Sequence, residues 1–204
     1  MTGDATHTIV EEYIELIRNK DFPCIAAKAA LSADQIKVLV AEHLACPKDD
    51  VEILKFLYGF VNHFRSAENS YHSAVVIFKG PQGCPEEMFD DLLWKRLQAI
   101  SDLDAREHRW DRRVAKDSNS PAFSFSIGEE AFYVIAMHEN SSRRAREFRY
   151  PTLVFNPHDQ FEQLRASHKY LPMKETVRKR DIRFSGSVNP MLGDFGEVSE
   201  VFQY

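Results

Sequence analysis

The sequence predicts an α+β fold: a single domain over residues 1–204, with a mixed, mostly central β-sheet flanked by helices. Three observations predict it. Segments with apolar residues three and four apart are interleaved with short β-branched and aromatic runs, in no regular alternation. The 204 residues are 44% hydrophobic and 28% charged, the balance of an ordinary globular domain. No repeat and no Pro/Gly/Ser-rich linker divides the chain, and no apolar run approaches the roughly 20 residues of a membrane span.

Each element has its own signal. Thr8 to Lys20 places Ile9, Val10, Tyr13, Ile14, Leu16 and Ile17 on one helical side, and Phe22-Pro23 ends that helix. Gln35 to Ala41 alternates Ile36, Val38 and Val40 and is read as a strand. Pro47 opens a helix to about Arg65, Pro at a first turn losing no hydrogen bond. His72 to Lys79 is a strand with its turn at Gly80-Pro81-Gln82-Gly83. Pro85 starts a helix whose core stripe is Met88, Phe89, Leu92, Leu93, Leu97 and Ile100. Arg106 to Asn119 is a polar loop holding Trp110, Pro121 to Ile127 is a strand with one serine face, and Ala131 to Met137 is a more apolar strand. Asn140-Ser141-Ser142 reads as an N-cap for a helix over Arg143 to Phe148. Pro151 to Asn156 is a strand, Asp159 begins a helix with Phe161 and Leu164 inward, and a last helix spans Pro172 to about Asp181. The tail from Gly186 to Tyr204 is read as a surface wrap.

Charge is unevenly distributed. The whole chain is −5, yet His138 to Arg183 holds eleven Lys or Arg against six acids. A solvated basic face and an anion site within an acidic protein both fit, since guanidinium groups take carboxylate and phosphate in a bidentate way. Nucleic-acid binding is not expected, because the net charge is negative and no binding motif appears. Met1 to Asp4 lacks the basic and apolar regions of a secretion signal, and three cysteines without CxxC spacing fit a cytoplasmic location.

The stretch Ala131 to Arg165 runs strand, His138, capped helix, strand, His158, helix. A βαβ crossover with parallel strands is expected there, with both histidines at carboxyl ends of neighbouring strands, the edge where open sheets bind ligands. Histidines flanked by arginines and aromatics fit a heme, a small metal site or strand-end hydrogen bonding; HxxxH and HxxEH spacings are absent.

The chain resembles the YqcI/YcgG family. The resemblance rests on His138-Glu139-Asn140-Ser141-Ser142-Arg143-Arg144-Ala145-Arg146 and on the block Pro151-Thr152-Leu153-Val154-Phe155-Asn156-Pro157-His158-Asp159-Gln160-Phe161-Glu162-Gln163-Leu164-Arg165. Phe22-Pro23-Cys24, Ala45-Cys46-Pro47, Trp94-Lys95-Arg96-Leu97-Gln98, Asn189-Pro190-Met191-Leu192 and Gln203-Tyr204 are also family-like. It implies heme b (iron protoporphyrin IX) and a heme-dependent N-oxygenase that hydroxylates a guanidine or amine such as arginine, using O₂ with an electron donor, or peroxide. A heme-binding sensor or carrier without turnover is the alternative, and a homodimer is left open. His158 is expected as iron ligand, with His138 second and Cys24 as the thiolate rival. Arg143 and Arg146, three apart on one helix face, are expected at the propionates with help from Arg165, while Phe155 and Phe161 line the porphyrin. Glu129, Glu130, Asp159 and Glu162 are the carboxylates expected near a cationic substrate.

Overall fold

A computed structural model describes residues 2–67 and 71–187. The chain begins with α1 (Thr2–Arg18) and α2 (Ile25–Ser32), then β1 (Ile36–His43) and a 3₁₀ turn at Pro47–Asp49 that leads into α3 (Asp50–Ser66). β2 (Ser73–Gly80), α4 (Glu86–Asp104), β3 (Phe125–Ile127) and β4 (Glu130–Met137) follow. A 3₁₀ turn at Arg144–Arg146, β5 (Thr152–Pro157), α5 (His158–Ala166) and α6 (Tyr170–Ser185) complete it. The expected tail beyond Ser187 lies outside the described residues. Among those residues no helix is long and apolar enough to cross a membrane.

The five strands form one mixed sheet in the order β1-β2-β5-β4-β3. β1 and β2 are parallel, joined through α3, and every other pair is antiparallel. Side chains alternate across a strand, so the sheet has two apolar faces. On one face Val76, Phe78, Phe132, Val134, Leu153 and Phe155 meet α3 and α4. On the other, Val75, Ile77, Met137 and Val154 meet the α1 stripe Ile9, Tyr13 and Ile17.

Four expectations are corrected. β4 and β5 pair antiparallel, with Phe132 opposite Pro157 and Met137 opposite Thr152, so no parallel crossover joins them. The helix expected over Arg143 to Phe148 is only the 3₁₀ turn, because its capping side chains bond elsewhere. Asn140 Nδ2 donates to the Cys84 carbonyl at 3.0 Å, and Ser142 donates through N and Oγ to Glu86 Oε1 at 3.1 and 3.0 Å. The backbone instead closes on itself through His138 N to Arg146 O (3.1 Å) and Phe148 N to His138 O (3.2 Å). The strand expected from Pro121 joins the sheet over Phe125–Ile127, and Phe123 makes an isolated parallel bridge to Ala115 instead. In α4, Phe89, Leu93, Leu97 and Ile100 are buried as expected, but Met88 is exposed. The segment Ile25–Ser32, with four alanines, forms the helix α2, which the sequence reading missed.

Candidate functional site

The α1/α2 face of the sheet does not close fully. It leaves a largely apolar cavity of about 180 Å³ beneath α1, α2, the Arg143–Arg146 segment and α6. Ile135 and Met137 from β4 and Val154 from β5 form part of its floor, and Tyr13 and Ile17 of α1 part of its wall. The polar groups on that wall are few and specific: Cys24, Ser73, Arg143, Arg146, Asn156 and Asp181.

Cys24 stands there because Phe22-Pro23 stops the chain after α1 and turns it into α2. It is the N-cap of α2, with extended backbone (φ −75°, ψ 103°), and its Sγ accepts the Ala27 N–H at 3.4 Å. Two influences oppose on this thiol. Burial raises its pKa, whereas helix N–H groups and the Lys28 cation favour the thiolate; burial is the larger. Tyr13 beside it is also pushed up, by burial first and by Cys24 second.

Arg143 and Arg146 reach the same cavity even though no helix carries them. Arg143 Nη2 donates to Asp181 Oδ2 at 2.7 Å and to the Ser187 carbonyl at 3.2 Å. Arg146 is lowered to about 10 by burial and then by Arg143, with Asp181, Glu86 and Asp90 opposing. It therefore remains charged at neutral pH. Two guanidinium groups share one lining carboxylate, Asp181, so the polar end of the cavity is cationic. On the floor, Ser73 Oγ donates to Asn156 Oδ1 at 2.7 Å, a polar pair within an apolar surface.

The two histidines are not brought together. Their strands are antiparallel and five register pairs separate the ends, a span of roughly 17 Å at about 3.4 Å per residue. His138 is buried beside Phe89, rings parallel at 4.2 Å, with Nε2 3.9 Å from Glu86; burial lowers its pKa. His158 opens α5, buried and stacked on Tyr133 at 4.9 Å. Burial drives its pKa down to about 4, against the raising effect of Glu162. Phe161 meets Tyr133 edge-on at 4.9 Å, and Arg165 pairs with Glu162 and lies 4.4 Å over Tyr170. Phe155 is fully buried on the opposite face, among Phe125 and Phe132. Thus Cys24, Arg143 and Arg146 converge, while His138, the His158–Phe161–Arg165 group and Phe155 occupy three other places.

Three of the four carboxylates expected near a substrate, Glu130, Asp159 and Glu162, are engaged elsewhere. Arg113 binds Asp111, Glu130 and Asp159 at 2.7 to 2.9 Å, and Arg65 binds Glu130 and the Glu129 carbonyl. Asp181 is the carboxylate at the cavity, and sequence reading placed it only as a helix end. Tyr13 and Ser73 are core or strand residues in the sequence reading, and Asn156 is expected there as a partner orienting a histidine; in the structure it bonds Ser73 instead. The signal that existed for this site was Phe22-Pro23-Cys24 directly before an alanine-rich segment. Among the described residues no three His, Cys, Asp or Glu side chains form a metal-holding group.

Fold and site together define a single-sheet α+β protein with one helix-covered apolar cavity, cationic at its polar end and bearing a cysteine thiol. The YqcI/YcgG family model matches residues 12–204, and the chain belongs to that family. It is 26% identical over 182 residues to the uncharacterized protein YcgG of Bacillus subtilis (strain 168), covering 86% of this chain and 71% of that one. The uncharacterized protein YqcI of the same organism is 25% identical over 189 residues, covering 88% and 72%. No solved structure matches.

Proposed function

We propose that the protein binds heme b in the Cys24 cavity and is a heme-dependent oxygenase that N-hydroxylates a guanidine or amine. The observation that carries the reading is the convergence of Cys24, Arg143 and Arg146 on one apolar cavity. A soft donor, two guanidinium groups and aliphatic walls are the donor set that iron, two propionates and a porphyrin face require. Size sets a condition, because about 180 Å³ lies below the roughly 300–1,000 Å³ of ordinary cofactor sites. The helix that must yield is α6. Asp181 is its one buried residue, and it is tied down by polar contacts, Arg143 to Asp181 and Arg180 to the Lys20 and Phe22 carbonyls. Moving it outward exposes little apolar surface.

When bound, heme supplies oxygen-transfer chemistry, drawing on O₂ with an electron donor or on peroxide. The chain's own residues do the rest. Cys24 would hold the iron as an electron-rich ligand, Arg143 and Arg146 would hold carboxylates at the polar end, and the covering helices would exclude water. The Ser73–Asn156 pair offers hydrogen bonds that orient a polar substrate on the floor.

The visible spectrum of the purified protein tests the reading. A Soret band is expected in the wild type, retained in His138→Ala and His158→Ala and shifted or lost in Cys24→Ser. Colourless protein that hemin does not reconstitute overturns heme binding. Retention of the wild-type band in Cys24→Ser with loss in His158→Ala moves the ligand to the histidine. Incubation with arginine, other guanidines and amines under O₂ plus reductant, or with peroxide, should give a +16 product by mass spectrometry; heme without any such product indicates a sensor or carrier.

A further inference from the structure

A second concavity lies on the far side of the same wall. It measures about 350 Å³ and is lined by Lys20 and Asp21 after α1, Arg144 of the 3₁₀ turn, and Arg180, Arg183 and Phe184 of α6. Four cationic side chains face one carboxylate. Arg143 and Arg146 turn into the apolar cavity while Arg144 turns into this cleft, so three nearby arginines are divided between two spaces.

Five arginines elsewhere are engaged by acids. Arg65, Arg96, Arg113, Arg143 and Arg165 all bind carboxylates. Among the described residues Lys20, Arg144, Arg180 and Arg183 form no ion pair. Like charges gathered without a counter-ion repel, and an anion bound among them would relieve that repulsion. Two of them are also held in position. Arg144 lies 4.7 Å over the Phe184 ring, and Arg180 Nη2 donates to the Phe22 carbonyl at 2.9 Å. Arg180 Nε is buried without an acceptor.

We propose that this cleft binds a small phosphoryl-bearing molecule, a diphosphate or a phosphomonoester. Several guanidinium groups around one space match the oxygens of a phosphoryl group, and a diphosphate near −3 balances four cations against one carboxylate. The volume falls at the lower end of the range for small-molecule sites and exceeds what a lone halide would fill. The cleft's cations are not those that line the Cys24 cavity, but both spaces share α6, so the proposal concerns the arrangement in which α6 is seated.

Calorimetric titration of the full chain with sodium pyrophosphate and with inorganic phosphate, against sodium chloride of equal ionic strength, is the test. Saturable binding is expected, tighter for pyrophosphate, with a matching rise in Tm. Arg144→Gln and Arg183→Gln remove exposed side chains, and each should weaken binding roughly tenfold. Arg112→Gln, an exposed arginine outside the cleft, should leave binding unchanged. A Tm rise reproduced by chloride, or equal binding by wild type, Arg144→Gln and Arg183→Gln, overturns the proposal.

Discussion

The two faces of the sheet are built to different standards. Under α3 and α4 the side chains are nearly all apolar and close-packed: Leu57, Val76, Phe78, Phe89, Phe132 and Phe155 are each at most 1% exposed. The charges that do enter near that face are fully engaged, as where buried Arg96 binds Asp50 and the Leu44 carbonyl. Under α1, α2 and α6 the same strands leave a cavity, half-bury a thiol and let two arginines share one acid. Both faces bury apolar side chains, Val75 and Ile77 of the second being fully buried, but the second also keeps polar groups around its cavity.

Substitutions break or sharpen that contrast. The largest effect belongs to Phe155→Ala, which empties a fully buried site and should cost about 3–5 kcal/mol in chemical denaturation. It should leave any heme spectrum unchanged, because Phe155 faces away from the cavity; an altered Soret band would erase the division between faces. Acid is next. His158 has its pKa lowered from 6.5 to about 4 by burial, so the unfolded chain binds the proton more readily between those values. Stability is therefore full above pH 6.5 and falls as pH drops toward 4, by on the order of 3 kcal/mol, with no further loss from this group below it. A stability–pH profile of His158→Gln should be flatter across that window. Smallest is Ile135→Val on the cavity floor, about 0.5–1.5 kcal/mol. A cost at the upper end or beyond would mean that this face is packed as tightly as the other.

The strands and most helices were legible because each carries its own period. Ser73–Gly80 is apolar from Ala74 to Phe78 and lies inside the sheet; Ile36–His43 alternates and lies at an edge. Strand partners were not legible. The 14 residues from His138 to Pro151 suit a crossover in length, and only the tertiary bonds of Asn140 and Ser142 to the start of α4 reveal a reversal instead. The site was read in part. Arg143 and Arg146 are where an anion would want them, yet they arrive there on a 3₁₀ turn rather than a helix face. Cys24, placed behind two histidines, lines the same cavity as these arginines. Its advantage depends on α1, α2 and two distant strands coming together, which no local pattern records.

The cap of α2 has a consequence for how the chain divides stability from use. Sulfur accepts a backbone N–H at 3.4 Å, where a serine oxygen would bind closer and more strongly. Cys24→Ser is therefore expected to keep α2 and to raise the melting temperature slightly, a gain of about 0.5 kcal/mol. The native residue is the less stabilising choice at that position, and the cost falls where its atom faces open space instead of protein. At this one position the sulfur that lines the cavity comes at the expense of a stronger cap.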